Sequence, residues 1–156
     1  MQIILNNVDD TEAFGRLLLS ALPKKCLVFL NGQLGAGKTS LVRGMLRAAG
    51  YEATVRSPTY SLVEEYKLSE QSIYHFDLYR LKDAEELEWM GMSDYLNDNA
   101  LCLIEWPEMG EGFLPTADVE ISLNVVEEGR RLEIKALNPQ LKNTLEVLFK
   151  NNNILL

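Results

Sequence analysis

Long apolar segments are missing from this chain of 156 residues. No stretch approaches the roughly 20 consecutive apolar residues that a membrane-spanning helix requires. Residues 1–7 also lack the basic segment followed by an apolar segment that is typical of a secretory signal peptide. These absences predict a protein that stays in the cytoplasm and does not act at a membrane.

Cysteine is scarce as well. Cys26 and Cys102 are the two cysteines of the chain, and each lies in an apolar segment that is typical of a strand. Cysteines in such segments are predicted to be buried, reduced thiols of the core. This prediction agrees with a cytoplasmic location.

Basic residues are outnumbered: the chain has 15 Lys and Arg residues against 23 Asp and Glu residues, which gives a formal net charge of −8. A protein that grips a nucleic-acid backbone needs clustered Lys and Arg side chains. The composition therefore argues against direct binding of nucleic acid, and a partner is expected to hold any nucleic acid that is involved.

Internal repeats, low-complexity tracts and Pro/Gly/Ser-rich linkers are also absent. With 47% hydrophobic residues, the chain is long enough to bury one core and short for two domains. We expect residues 1–156 to form a single domain.

The strongest motif that is present is Gly-Gln-Leu-Gly-Ala-Gly-Lys-Thr at residues 32–39, a complete G-x-x-x-x-G-K-[ST] phosphate loop. The β-prone segment 26–30 precedes the motif, and residues 40–49 follow it with apolar side chains at helical spacing. A strand, a glycine-rich loop and a helix in this order form the structural context that the motif requires. The sequence therefore predicts that the protein binds a nucleoside triphosphate.

The physics of phosphate binding explains the spacing of the motif. Glycines allow the backbone to turn tightly and to approach a phosphate, and the N–H groups at a helix N-terminus point at the anion. Lys38 adds a positive charge toward the β- and γ-phosphates, and the Thr39 hydroxyl is predicted to bind Mg²⁺. The predicted nucleotide-binding residues of this segment are Gly32, Leu34, Gly35, Ala36, Gly37, Lys38, Thr39 and Ser40.

Hydrophobic periodicity predicts the remaining elements. The first helix is expected to be capped by Asp9 or Asp10, and the third by Asp83 in a capping box with Glu86. Predicted strands cover 2–6, 26–31, 60–68, 73–78, 101–104, 119–126 and 131–136, and predicted helices cover 9–22, 40–49, 83–90 and 141–149, with a frayed tail at 151–153. The pattern predicts a three-layer α/β, P-loop NTPase-like fold with a mixed parallel and antiparallel central sheet.

Two predicted strands end in an acidic residue, Asp77 and Glu105. A Mg²⁺-nucleotide site needs such a residue beside the phosphate loop. Glu105 is the preferred metal ligand because the strand before it is more apolar, and Asp77 is a second carboxylate that binds the metal or orients water. Which of the two acts as the base stays open.

Several other polar and aromatic residues allow two interpretations each. The loop 56–59 is either a plain connection or a switch that senses the γ-phosphate. His75, on the same strand face as Asp77, either tunes the site or forms a cross-strand polar pair. Trp89 and Trp106 are core or interface aromatics, and Trp106 can also report on nucleotide binding.

Four segments in this order and spacing resemble the TsaE family, small bacterial ATPases of the tRNA threonylcarbamoyladenosine pathway. These segments are 32–39, 57–60, 75–81 and 104–108. The loop alone is generic, whereas the three later segments together are specific. The resemblance extends from about Thr11 to Arg130.

The resemblance implies that the protein binds ATP and Mg²⁺ and hydrolyses ATP slowly by itself. It also implies that the protein acts together with TsaB and with TsaD, which transfers the threonylcarbamoyl group to the adenosine 3′ of the anticodon. The protein is then expected to contact tRNA only indirectly, through this complex. The residues with implied roles are Lys38, Asp77 and Glu105 in catalysis, Thr39, Asp77 and Glu105 in metal binding, and Thr11, Thr59 and Arg130 in nucleotide binding.

Three other functions are compatible with a phosphate loop. A small-molecule or nucleotide kinase usually has an Arg-rich lid, which we do not find, since Arg80 and Arg130 are dispersed. A regulatory GTPase would carry an Asn-Lys-x-Asp motif, which is absent. A pure binding module would bind ATP without hydrolysing it.

Overall fold

The computed structural model of the protein describes residues 1–58 and 60–154. Its strands are β1 (Gln2–Leu5), β2 (Cys26–Asn31), β3 (Val63–Lys67), β4 (Ser72–Asp77), β5 (Ala100–Glu105), β6 (Val119–Val126) and β7 (Gly129–Ala136). Its α-helices are α1 (Val8–Ala21), α2 (Lys38–Ala48), α3 (Glu86–Trp89), α4 (Met92–Asn97) and α5 (Pro139–Asn151), and a 3₁₀-helix covers Pro107–Gly110.

The strands form one sheet in the order β1-β7-β6-β2-β5-β4-β3. The central strands β6, β2, β5 and β4 are parallel. At one edge, β7 pairs antiparallel with β6 and β1 pairs antiparallel with β7, and at the other edge β3 pairs antiparallel with β4. All six residues of β5 are buried, as expected for a central strand that is covered on both faces. The predicted mixed sheet is confirmed.

Helices cover both faces of the sheet. On one face, α1, α2 and α5 enclose a core that includes Phe14, Leu41 and Leu145. On the other face, α3 and α4 contribute Leu87 and Met92 to a second core. This arrangement confirms the three-layer α/β fold. None of the helices in the described ranges is long and apolar enough to cross a membrane.

The predicted helix caps were wrong in both cases. Asn7 caps α1, since its side-chain oxygen accepts a hydrogen bond from the Asp10 backbone N–H at 2.8 Å. Asp83 accepts from the Glu85 N–H at 2.9 Å and forms a turn there, so that α3 begins only at Glu86 and no capping box forms.

Other differences concern the bounds of the elements. The strand predicted at 60–68 begins at Val63, the strand predicted at 131–136 begins at Gly129, and α4 was not predicted. Asn138 caps α5 through its side-chain oxygen, and the helix continues through Asn151 into the segment predicted as a frayed tail.

Candidate functional site

The phosphate loop connects β2 to α2, as the motif predicted. Gly37 precedes the first helical residue with φ of 108°, a left-handed conformation that glycine adopts without steric cost. The first turn of α2 carries no acidic side chain. Its free N–H groups and the positive end of the helix dipole are therefore available to an anion.

Gly32 lies against the neighbouring strand β6. A Cβ atom added at Gly32 would lie 2.6 Å from the Leu123 carbonyl oxygen, so that any larger residue would push the loop away from the sheet. A Cβ atom added at Gly35 would meet no atom within 4 Å. The loop is thus packed on the sheet at its start and open toward the cleft at its middle.

A cleft of about 230 Å³ opens beside this loop. The predicted site residues that line it are Leu34, Gly35, Ala36, Gly37, Lys38, Thr39, Ser40, Asp77 and Glu105, and Ser57 and Trp106 complete the lining. Thr59, also predicted to bind nucleotide, lies outside the described residues. The structure therefore brings most of the predicted site together in one cavity.

The two predicted carboxylates are neighbours across the sheet. Asp77 of β4 pairs in register with Glu105 of β5, and Glu105 pairs in turn with Leu30 of β2, the strand that leads into the phosphate loop. Glu105 is only 2% exposed. Burial raises the pKa of Asp77, and the charge of Glu105 raises it further. A hydrogen bond from the Tyr79 N–H to Asp77 Oδ1, 3.0 Å long, acts in the opposite direction.

Hydrogen bonds connect the loop to the acidic side of the cleft. The Thr39 hydroxyl lies 2.7 Å from the Ser57 hydroxyl, and Ser57 donates to Glu105 Oε2 at 3.4 Å. His75 Nε2 lies 3.2 Å from the same Oε2 atom. The predicted metal ligands Thr39 and Glu105 are thus joined through Ser57, a residue of the loop that was interpreted as a possible switch.

The Lys38 ammonium group is held by its own loop. It donates to the carbonyl oxygen of Gly32 and, at 3.2 Å, to that of Gln33. It also lies 4.7 Å from the ring centroid of Trp106. Burial lowers the pKa of Lys38, and the nearby charges of Glu105 and Asp77 partly offset this effect. An anion in the cleft would give this cation a stronger partner than backbone carbonyls.

Thr11 and Arg130 contact the loop from outside the cleft. The Thr11 hydroxyl donates to the Asn7 carbonyl at 3.0 Å, while its methyl group would lie 3.8 Å from a Cβ atom on Gly37. Arg130 donates to the Gly35 carbonyl at 3.3 Å and to the Gly129 carbonyl at 2.9 Å. Thr11 therefore lies beside the loop at Gly37, and Arg130 lies at its rim.

The oxygen donors of the cleft suit Mg²⁺. Thr39, Asp77 and Glu105 offer one hydroxyl and two carboxylates, which are hard ligands. In the part of the chain that the structure describes, no three His, Cys, Asp or Glu side chains are grouped so that they could hold a metal ion by themselves. Mg²⁺ commonly binds through one or two carboxylates together with substrate phosphates and water, so this donor set fits a metal that arrives with a nucleotide.

The sequence allowed a nucleotide-related role for Ser57 and Trp106 only as one of two alternatives each, and it left the partner of His75 open; the structure places Ser57 and Trp106 in the cleft lining. In the sequence, Ser57 was marked only by its place in a polar loop, Trp106 only by its place directly after Glu105, and His75 only by its alternation with Asp77. Trp89, one of the two tryptophans, is 78% exposed and is not a core residue.

Comparison with known proteins identifies relatives along most of the chain. The family model for threonylcarbamoyl adenosine biosynthesis protein TsaE matches residues 5–132. The tRNA threonylcarbamoyladenosine biosynthesis protein TsaE of Haemophilus influenzae is 50% identical over 141 residues, which cover 90% of this chain and 89% of the relative. The Bacillus subtilis protein of the same name is 30% identical over 149 residues, which cover 95% of this chain and 93% of the relative.

A solved structure supports the fold. The crystal structure of YdiB from Bacillus subtilis superimposes with a TM-score of 0.82 and covers 98% of this chain and 96% of its own. At 24% sequence identity, this likeness concerns the fold alone.

Proposed function

Since this chain belongs to the TsaE family, and so takes part in tRNA threonylcarbamoyladenosine biosynthesis, we propose that it is an ATP-hydrolysing component of that pathway. One observation carries the proposal: the Gly-Lys-Thr loop faces two carboxylates, Asp77 and Glu105, that pair in register at the ends of adjacent parallel strands. This is the donor set that phosphoryl transfer from a Mg²⁺-nucleotide requires.

The phosphates are bound by the loop and by the start of α2. The loop is open at Gly35, where an added Cβ atom would meet no atom within 4 Å, so that a phosphate can approach the backbone N–H groups closely. Lys38 leaves the carbonyl oxygens of Gly32 and Gln33 and contacts the terminal phosphates. Arg130, which lies at the Gly35 carbonyl, adds positive charge at the rim.

The metal is held by Thr39 and Glu105, with Asp77 beside them. Mg²⁺, when bound, neutralises charge on the β- and γ-phosphates. Thr39 would bind the metal in place of its hydrogen bond with Ser57, and Glu105 would bind it from the buried position that β5 gives its carboxylate. Binding of nucleotide therefore changes the contacts of Ser57 and, through it, the loop that contains Ser57.

Asp77 is the better placed of the two acids to orient the attacking water. It is partly exposed to the cleft, whereas Glu105 is buried and accepts contacts from Ser57 and His75. Burial raises the pKa of Asp77, which makes its carboxylate a stronger hydrogen-bond acceptor for that water than a fully hydrated one. Asp77 orients the water as its oxygen bonds to the γ-phosphorus and the β–γ bridging oxygen leaves, and the proton of the water passes to the phosphate that is released.

The partners in this proposal are TsaD and TsaB, and the location is the cytoplasm. With a net charge of −8, the chain is unsuited to grip tRNA directly. It docks on a complex that holds the tRNA, and the loop that contains Ser57 couples the state of the nucleotide to that docking.

The proposal is tested by measuring ATP hydrolysis with and without purified TsaB–TsaD, together with threonylcarbamoyl incorporation into tRNA beyond one turnover. We expect hydrolysis to rise with the complex and multiple-turnover modification to vanish in Lys38→Ala. The proposal would be overturned if the complex does not raise the rate of ATP hydrolysis and if Lys38→Ala leaves multiple-turnover modification unchanged. Phosphorylation of an added acceptor would instead identify a kinase.

A further inference from the structure

The only histidine of the chain is buried in the sheet layer behind the cleft. His75 lies on β4, pairs in register with Leu103 of β5, and has a side chain that is 0% exposed. Its neighbours in the strands, Ile73 and Leu101, belong to the apolar core under α1 and α2. A polar ring in such surroundings costs free energy of folding unless both of its nitrogens are paired.

The two nitrogens differ in their contacts with the residues that the structure describes. His75 Nε2 lies 3.2 Å from Glu105 Oε2, and since a carboxylate accepts, Nε2 carries the hydrogen. His75 Nδ1 is buried and has no hydrogen-bond partner among the described residues. An apolar side chain of similar size would avoid this cost, so fold stability does not explain a histidine at this position.

The contact with Glu105 does offer an explanation. His75 and Ser57 both contact Oε2, whereas Oε1 makes no hydrogen bond to any residue within 1–58 and 60–154. The Ser57 contact is long, at 3.4 Å, and its hydroxyl is shared with Thr39. His75 is therefore the firmer of the two constraints on the carboxylate, and it leaves Oε1 available.

We propose that His75 is a positioning residue that holds Glu105 through Oε2, so that Oε1 is presented to the metal or to its water ligands. The inference rests on the proposed function, which assigns Glu105 to the metal. Hydrogen bonds from a second layer of residues commonly orient metal-binding carboxylates in this way, and their loss weakens metal binding by about 10–100-fold.

Two substitutions at His75 separate positioning from packing. In His75→Gln the amide N–H₂ lies close to the position of Nε2 and can still donate to Glu105. In His75→Asn the side chain is one methylene shorter and cannot reach it. The readout is the Mg²⁺ concentration at half-maximal ATP hydrolysis, with ADP binding measured with and without Mg²⁺.

We expect His75→Asn to raise the half-maximal Mg²⁺ concentration by about tenfold or more, and His75→Gln to stay within about threefold of the wild type. ADP binding without Mg²⁺ should be similar in both variants. Ile73→Val, a core substitution on the same face of β4, controls for packing and should change the thermal midpoint without changing the Mg²⁺ dependence.

Equal Mg²⁺ dependence in the wild type and His75→Asn, or equal losses in the Gln and Asn variants, would overturn the inference. His75→Leu adds a second comparison, since it preserves the apolar core and should behave like the Asn variant. A wild-type protein that binds no ADP in the presence of Mg²⁺ would instead contradict the proposed function itself.

Discussion

The two ends of the central parallel strands are built differently. At the amino end, the Leu27 N–H donates to Asp118 Oδ2 and the Leu27 carbonyl accepts from the Asp118 N–H, each at 2.8 Å. At the carboxyl end, within the part of the chain that the structure describes, Lys38 contacts only its own loop and the Trp106 ring, and His75 Nδ1 has no hydrogen-bond partner; Trp106 has a left-handed backbone with φ of 56°.

The difference shows how one sheet separates stability from function. At the amino end, Leu27 and Asp118 are paired with each other, although the buried Gln71 Nε2 just before β4 has no partner among the described residues, so a change at Asp118 removes a contact that stabilises the fold. Polar groups at the carboxyl end are held in place with incomplete or weak partners, so they can exchange these for a ligand. Substitutions at the two ends should therefore affect different measurements.

The largest effect is expected from Lys38→Ala at the carboxyl end. Loss of a cation that stabilises transferring phosphate should reduce ATP hydrolysis by about 100-fold or more. The thermal midpoint should change by no more than about 2 °C, because the lost contacts are to carbonyl oxygens of the loop. Lys24→Ala, an exposed lysine at the amino end, is the matched control and should leave both measurements unchanged. Activity within about threefold of the wild type would remove Lys38 from the site.

The two carboxylates should differ when each is made neutral. Glu105→Gln is expected to reduce hydrolysis by about 100-fold, since it removes the charge that we assign to the metal. Asp77→Asn is expected to cost about tenfold, because an amide oxygen can still orient water. The rate of single-turnover hydrolysis and the affinity for ADP are measured for both variants. Glu105→Gln should retain ADP binding better than hydrolysis. A larger loss of hydrolysis in Asp77→Asn than in Glu105→Gln would assign the metal to Asp77 and the water to Glu105.

At the amino end, Asp118→Ala should affect stability and not activity. It leaves the Leu27 N–H without its acceptor, at a cost of about 1–3 kcal/mol. The thermal midpoint should fall by roughly 3–8 °C, while hydrolysis at 25 °C stays within about twofold. Asp118→Asn keeps an acceptor oxygen and should recover most of the loss. A large fall in hydrolysis by a folded Asp118→Ala protein would break the separation between the two ends.

Alkaline pH should weaken the fold through the buried thiols. Burial, with the charge of Asp118, raises the pKa of Cys26 to about 12, and burial raises the pKa of Cys102 to about 11. The folded protein therefore keeps protons that the unfolded chain loses above its own thiol pKa, and stability falls as pH rises from about 9 toward these values. Urea unfolding at pH 7.5 and pH 10 should differ by about 1 kcal/mol per thiol.

Replacing each thiol checks the source of this pH dependence. Cys26→Ala and Cys102→Ala should each lower the stability somewhat at pH 7.5 and reduce the difference between the two pH values. An unchanged difference in the double variant would assign the pH dependence to other groups.

The smallest effect is expected from Arg130→Ala at the rim of the loop. Its hydrogen bond to the Gly35 carbonyl is 3.3 Å long and exposed, so nucleotide binding should weaken by only about threefold. Arg131→Ala is the matched control, because Arg131 is the next residue on β7 and alternation turns it to the other face of the sheet. Fluorescence titration with ADP measures both variants, and equal affinities would show that the rim contact does not contribute to binding.

The parts of the site that could be predicted from the sequence are those that depend on residues close together along the chain. The loop, with the strand before it and the helix after it, follows from one contiguous segment. The positions of Asp77 and Glu105 follow from apolar strands that end in an acid, and parallel strands bring their carboxyl ends to one edge of the sheet.

Contacts between distant segments could not be predicted in the same way. The contact of His75 with Glu105 depends on the register of β4 against β5, and periodicity within β4 shows only that His75 shares a face with Asp77. The choice of Asn7 as the cap of α1 is another example, since Asp9 and Asp10 are equally suitable residue types. The Asp10 carboxylate instead accepts from the Asn6 N–H at 3.0 Å, and this arrangement depends on how the chain leaves β1.

The register between β4 and β5 determines where the protein can tolerate the insertion of a residue. These strands pair residue by residue from Ser72 opposite Ala100 to Asp77 opposite Glu105. One extra codon within β4 or β5 would turn one carboxylate to the opposite face of the sheet, because side chains alternate along a strand. The same codon in the turn between β3 and β4 would leave this pairing intact. In-frame insertions should therefore be accepted in that turn and rejected a few residues later, even where the strand itself could still form.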